Sequence, residues 1–158
     1  MSVFPVVANG SGEPQQVPGH VLSIFVYGTL KSDQCRATCW PRQPTRVLSG
    51  WTLGRLFDLG SYPALLPGAD RVLGEIWQFR AADMPETLCI LDRIEGTDQP
   101  GEPNLYNRCI VPAIGFDQSV ARPAYTYVWA HPEQLNQAFY IVPTIELAGA
   151  RYASWPGG

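Results

Sequence analysis

The sequence predicts an α+β fold with a curled, mainly β body of the kind a small barrel satisfies. Three observations carry this. The apolar patterns run in the order strand, short helix, several strands, longer helix, more strands, which segregates helices from strands rather than alternating them. Regular βαβ alternation is absent, which argues against a doubly wound sheet. The 15 glycines and 15 prolines fall between strand-like runs instead of forming a low-complexity tract.

Taken in chain order, residues 1–19 (MSVFPVVANGSGEPQQVPG) mix Gly, Pro, Ser and Gln without a period and are expected to form a flexible N-terminal tail. Residues 20–158 then form one domain, a length that suits a single core. Val21–Tyr27 is a buried-type strand. Ser32 is an N-cap candidate for a short helix over SDQCRATCW, closed by Pro41. Gly50 and Gly54 interrupt a strand pattern in TRVLSGWTLGRLFDLG and predict bends or bulges. SYPALLPGAD reads as a turn-rich link before the strand RVLGEIWQF. A helix is expected from Met84 to Glu95, a loop over GTDQPGEPN, and strands over YNRCIVPAI and AYTYVWA. The last of these alternates Tyr125, Tyr127 and Trp129 with Thr126 and Val128, so one face is aromatic. Trp155, close to the C-terminus, either packs on the body or trails free.

Composition excludes several function classes. The chain is 46% hydrophobic and only 16% charged, which marks a globular protein and not a disordered one. Its formal charge is −3 with no basic run, so nucleic acid is not an expected partner. No stretch approaches the ~20 apolar residues of a membrane span. The first basic residue is Lys31, so the charged start of a secretory signal is not expected, and cytoplasm is the default compartment. Cys35, Cys39, Cys89 and Cys109 match no common zinc spacing, and buried free thiols are the expectation. His20 and His131 have no paired acid or nucleophile nearby and are expected in solvated or capping roles.

The segment ADMPETLCILDRIEG is the most informative. Asp83 and Glu86 form an acidic variant of the capping box, Pro85 occupies the first turn, and Gly96 can end the helix in a left-handed cap. At 100° per residue Met84, Leu88 and Leu91 follow i, i+4, i+7, and the next member of the series is Glu95. A carboxylate thus continues the apolar stripe into the last turn, where the helix dipole is negative. Burial and dipole both disfavour its ionised form and push its pKa toward neutrality, which suits a proton shuttle. The competing reading is a frayed last turn with Glu95 in water, and Asp92 and Arg93 on solvent-compatible flanks. A second feature is YGTLK at residues 27–31, where a strand stops at a glycine. The successive N–H groups of Gly28, Thr29 and Leu30 can form a nest for a carboxylate or an oxyanion.

The ordered set FVYGTLK, YPALL, LGEIW, LDRIEG, LYNR and YTYVWA resembles the γ-glutamylcyclotransferase-like superfamily, in its AIG2-like and γ-glutamylamine cyclotransferase branch. The resemblance runs from about Val21 to Ala130. It implies a small mixed β-barrel with flanking helices and a cavity at one side. It further implies cyclisation of a γ-glutamyl amide to 5-oxoproline with release of the amine, needing neither metal nor cofactor. By resemblance the acid/base glutamate falls on Glu95, and the loop that holds the γ-glutamyl part falls on Tyr27, Gly28, Thr29 and Leu30. Tyr106 and Tyr127 are further substrate-binding candidates, each also explicable as a barrel aromatic with a satisfied hydroxyl. Tyr62 is expected to organise a turn, and Arg108 is not placed by the pattern. The loop GTDQPGEPNL is longer than the family's usual link, which leaves the leaving amine open. A non-catalytic small-molecule binding module on the same fold is the alternative.

Overall fold

The computed structural model describes residues 6–7, 21–142 and 144–156. Its strands are β1 (Val6–Val7), β2 (Ser23–Val26), β3 (Arg46–Asp58), β4 (Pro63–Gln78), β5 (Tyr106–Gly115), β6 (Arg122–Trp129), β7 (Phe139–Ile141), β8 (Ile145–Leu147) and β9 (Ala150–Tyr152), with α1 (Met84–Glu95) between β4 and β5. Neighbours follow the order β1-β5-β6-β2-β4-β3-β7, and β3 also pairs with β5. That extra pairing closes β5-β6-β2-β4-β3 into a five-stranded barrel. The barrel is mixed, because β2 runs parallel to β6 while its other pairings are antiparallel. The expected α+β class and small barrel are the observed ones.

Glycines permit the closure. At Gly50, opposite Gly115, a Cβ would stand 2.6 Å from the carbonyl oxygen of Ile114, so only glycine lets β3 reach β5. The expected irregularity at Gly54 is also present: Gly54 pairs with Asp70 but Arg55 pairs with Leu66, and residues 67–69 bulge from β4. The link expected over SYPALLPGAD is instead mostly strand. Ala64 and Leu65 are fully buried opposite Phe57 and Leu56, and that burial outweighs the turn preference of the Pro and Gly residues. The chain reversal lies earlier, where Leu59 N–H donates to Tyr62 O (3.0 Å) and Asp58 Oδ1 accepts from Gly60 N–H (2.8 Å).

β2 is buried on both faces and joins two cores. Ile24 and Val26 belong to the cluster that holds the helix stripe, and Phe25 belongs to a second one with Leu56, Leu65, Val72 and Ile76. Tyr125, Tyr127 and Trp129 of β6 share the first cluster, as their alternation predicts. Trp155 packs into the second and donates from Nε1 to Asp58 Oδ1 (3.1 Å). Of the expected tail, only residues 6–7 are described; they pair with Ile110 and Cys109 of β5, and the remainder lies outside the described residues, as does His20.

α1 has the expected bounds, with Met84, Leu88 and Leu91 buried. Its start differs from the expected capping box. Asp83 is itself in helical backbone conformation and makes no side-chain cap, and Glu86 pairs with Arg42 (2.7 Å). Its end is as expected: Gly96 adopts φ 65°, Thr97 N–H donates to Asp92 O (2.8 Å), and Gly96 N–H turns back to Arg93 O. The short helix expected from Ser32 is replaced by turns and a single 3-10 turn, Ala37–Cys39. Ser32 is drawn away from capping because its N–H and Oγ both donate to the Glu75 carboxylate (2.7 and 2.6 Å). The thiols also depart from expectation: all four are free, but Cys109 alone is buried and Cys35, Cys39 and Cys89 are exposed. Among the described residues, no helix is long and apolar enough to cross a membrane.

Gly96→Ala places a side chain at φ 65° with its Cβ 3.1 Å from Leu105 Cβ. The variant is expected to lose about 1–2 kcal/mol. Urea denaturation checks this as a lower midpoint at unchanged slope.

Candidate functional site

The donor turn follows directly on β2. Its carbonyls are engaged: Gly28 O accepts from Lys31 N–H (3.1 Å), Thr29 O from Arg36 N–H (2.8 Å) and Leu30 O from Trp40 Nε1 (3.0 Å). The N–H groups of Gly28, Thr29 and Leu30 meet no acceptor among the described residues. A turn so arranged leaves three successive donors for an anionic or partly anionic ligand atom. Gly28 is required for close approach rather than for a left-handed φ, since a Cβ there would stand 2.7 Å from the Pro63 ring.

The turn forms one wall of a cavity of about 70 Å³, several times what one water needs. Tyr27, Gly28, Thr29, Leu30, Tyr106 and Tyr127 all line it, and Glu95 lines it from the last turn of α1. The seven residues singled out in the sequence therefore share one cavity. Glu95 is half-buried, and loss of solvent pushes its carboxyl up to about 7, with the Arg36 charge pulling the other way. The helix stripe thus delivers a carboxylate to a hydrophobic wall instead of fraying into water.

The tyrosine hydroxyls are committed to protein acceptors. Tyr27 donates to Tyr127 O (2.5 Å), Tyr106 to Pro63 O (2.6 Å), and Tyr127 to Asp92 Oδ1 (2.7 Å). Burial pushes all three phenols well up, so they stay neutral and offer mainly their rings to the cavity. Asp92 does not sit on a solvent-compatible flank. It points inward, with Oδ2 taking the Arg108 guanidinium at 2.6 Å and Oδ1 taking Tyr127. Burial pushes its carboxyl up, while Tyr127 and Arg108 oppose that. Arg108 is thereby placed: it braces α1 to β5 and is itself buried.

Sequence reasoning missed Arg36, Ile94, Pro63 and Leu105 as lining residues, and Tyr62 lines the cavity besides shaping its turn. Ile94 beside Glu95 and Leu105 beside Tyr106 were within reach of the pattern. Arg36 was not, because its orientation depends on turns that the sequence reads as helix. His131 caps the long loop, its Nε2 lying 2.6 Å from Asn104 O. Among the described residues no three His, Cys, Asp or Glu side chains converge as metal ligands.

The barrel, the turn and the helix-end carboxylate together define a class, and the comparison of sequences gives the same one. Residues 24–144 match the model of the family described as gamma-glutamyl cyclotransferase, AIG2-like, and the chain belongs to that family. Among solved structures it is similar to an AIG2-like protein of Mus musculus, at 25% identity and a TM-score of 0.58, over 88% of this chain and 99% of that one. It is also similar to a protein of Arabidopsis thaliana, at 25% identity and a TM-score of 0.54, over 75% of this chain and 76% of that one. No curated protein matches the sequence.

Two outcomes follow from these charges. Because the folded-state pKa of Glu95 is raised from 4.5 to about 7, the folded chain binds the proton more tightly than the unfolded one. Its contribution is therefore most favourable below the lower value and is lost as pH rises through the higher one. Relative to Glu95→Gln, the wild type should lose up to about 3 kcal/mol between pH 5 and pH 8, measured by urea denaturation at both. Separately, Asp92→Asn leaves the buried Arg108 guanidinium without its anion and should cost about 3–5 kcal/mol by the same measurement.

Proposed function

We propose that this protein cyclises a γ-glutamyl amide to 5-oxoproline with release of the amine. The observation that supports it most is that one cavity is lined both by a carboxyl poised near neutrality and by three successive residues whose backbone N–H groups meet no acceptor among the described residues. Family membership agrees with cyclotransferase chemistry of this kind.

The substrate's α-ammonium gives a proton to the Glu95 carboxylate. The freed nitrogen attacks the γ-carbonyl carbon, forming the ring N–C bond and moving the π pair onto oxygen. Amides of the Gly28–Leu30 turn stabilise that oxyanion, a term worth a few kcal/mol where donors are pre-positioned. As the carbonyl re-forms, the amide C–N bond breaks and the departing nitrogen takes the proton back from Glu95. The regenerated carboxylate then takes the second proton, from the ring nitrogen, and passes it to the released amine, which leaves as its ammonium. Both protons lost by the α-nitrogen thus end on the leaving amine. A pKa of about 7 serves both halves, because the group must accept and then donate near neutral pH. Attacker and target belong to one molecule, so holding the chain folded supplies an effective molarity on the order of 10⁵ M. The rings of Tyr27, Tyr106 and Tyr127 shape the space in which the five-membered ring can form. Their hydroxyls, already donated to protein acceptors, leave Glu95 as the acid/base group.

Glu95→Gln removes the proton carrier at nearly constant volume. Production of 5-oxoproline from γ-glutamyl amides, followed by mass spectrometry, should fall by about 10²–10⁴-fold while circular dichroism is retained. For the wild type, kcat/KM should rise with pH through an apparent pKa near 7 and lose that step in the variant. Equal product from both proteins would refute the role of Glu95.

A further inference from the structure

We propose that Arg36 reads the leaving amine, and that the preferred substrates are γ-glutamyl amino acids, whose amine carries a carboxylate, over amides that release a neutral or cationic amine. This rests on the cyclotransferase reading above and names its substrate class.

The cavity is graded by depth. Phe25, Tyr27, Tyr106 and Tyr127 line it and are at most 6% exposed, whereas Arg36 and Leu105 are lining residues that face solvent. The glutamyl part has to reach the donor turn and Glu95, so it occupies the buried portion. The departing amine must leave for water, so it lies toward the rim, where one guanidinium and one leucine stand. Among the described lining residues Arg36 is the sole cation.

Arg36 is held there by its backbone. Its N–H donates to Thr29 O (2.8 Å), which ties it to the donor turn, and the 3-10 turn Ala37–Cys39 follows at once. No carboxylate among the described residues forms an ion pair with it. Its charge is nevertheless felt by Glu95, so the guanidinium acts on the space in which the amine departs. A carboxylate there gains a charge-assisted partner, a cationic amine is repelled, and Leu105 offers apolar contact to the rest of the leaving group. The glutamyl α-carboxylate is a second source of the same chemistry. It sits on the carbon that bears the attacking amine, however, and so travels with the buried part.

γ-Glutamylglycine and γ-glutamylglycinamide share the whole glutamyl part and differ in the leaving-group charge. The wild type should favour the glycine compound in kcat/KM by about three- to tenfold, the range for a partly solvated charge pair, and less so at high salt. Arg36→Gln should bring the ratio to about one, Arg36→Lys should keep most of it, and Arg36→Glu should invert it. A ratio that survives Arg36→Gln overturns the proposal. So does an equal loss on both compounds, which would assign Arg36 to the α-carboxylate or to Glu95. If neither compound yields 5-oxoproline, the cyclotransferase reading falls, and calorimetric Kd values for the same pair still decide the matter. A carboxylate preference lost in Arg36→Gln supports the assignment; no preference, or no binding, in the wild type overturns it.

Discussion

The end of α1 is fastened to the barrel by one inward carboxylate, and both halves of the cavity depend on that fastening. Asp92 takes the Arg108 guanidinium of β5 on one oxygen and the Tyr127 hydroxyl of β6 on the other. The carbonyl of Tyr127 in turn accepts from the Tyr27 hydroxyl, and Tyr27 opens the donor turn. A chain of hydrogen bonds therefore runs from the helix end to the residue before Gly28. Glu95 stands three residues beyond Asp92, nearly on the same face of the helix. Any shift of the helix against the sheet would move Glu95 and strain the contacts that hold the turn.

Two carboxylates on one helical turn meet different fates, and the difference is a matter of partners. Asp92 is surrounded by donors, a guanidinium and a phenol, whose attraction opposes the cost of burial. Glu95 lacks a comparable pair, has a more distant cation, and is pushed to about 7. Structural work suits the first arrangement, since a braced carboxylate is hard to move. Proton transfer suits the second, since a carboxyl near neutrality exchanges its proton at little cost. Under the proposed role, the destabilisation carried by Glu95 at neutral pH would be the counterpart of its proton transfer, offset by the surrounding core. The Schellman cap at Gly96 contributes by stopping the helix one residue after the carboxylate reaches the cavity.

Much of this was legible because it rests on periodicity. The stripe of Met84, Leu88 and Leu91 fixes the face of α1, and 100° per residue carries Glu95 onto it without tertiary information. The alternation in β6 and the bulge after Gly54 are equally local signals, whereas Gly50, expected to bend or bulge, keeps regular register with Gly74 and serves the close approach to β5 instead. The unreadable parts are those where a distant partner overrides a local preference. Ser32 looks like an N-cap until Glu75, in β4, takes both of its donors. Glu86 looks like half of a capping box until Arg42 claims it. Pro63–Asp70 carries turn residues yet pairs with β3, because Ala64 and Leu65 have core positions to fill. Asp92 looks solvated because Arg108 lies sixteen residues away and one element later.

The same distinction separates the reaction from its substrate. What the cavity can do is set by its buried portion, where the turn, the tyrosine rings and Glu95 are fixed by hydrogen bonds between core elements. On the proposed reading, which amine is released would depend on the rim, and the rim is made of segments with weaker local codes. One is the turn segment that presents Arg36. The other is the long loop after α1, whose last residue, Leu105, lines the cavity. That loop is held by its own polar contacts rather than by a core: Asn104 Oδ1 accepts from Asp98 N–H (2.8 Å), Thr97 Oγ1 donates to Tyr106 O (2.7 Å), and Leu105 N–H returns to Gly96 O (2.9 Å). Such a loop can change length and composition without disturbing the barrel, since few buried apolar contacts depend on it. On the proposed reading, a change in this loop would alter the surroundings of the departing amine while the donor turn and Glu95 stay in place.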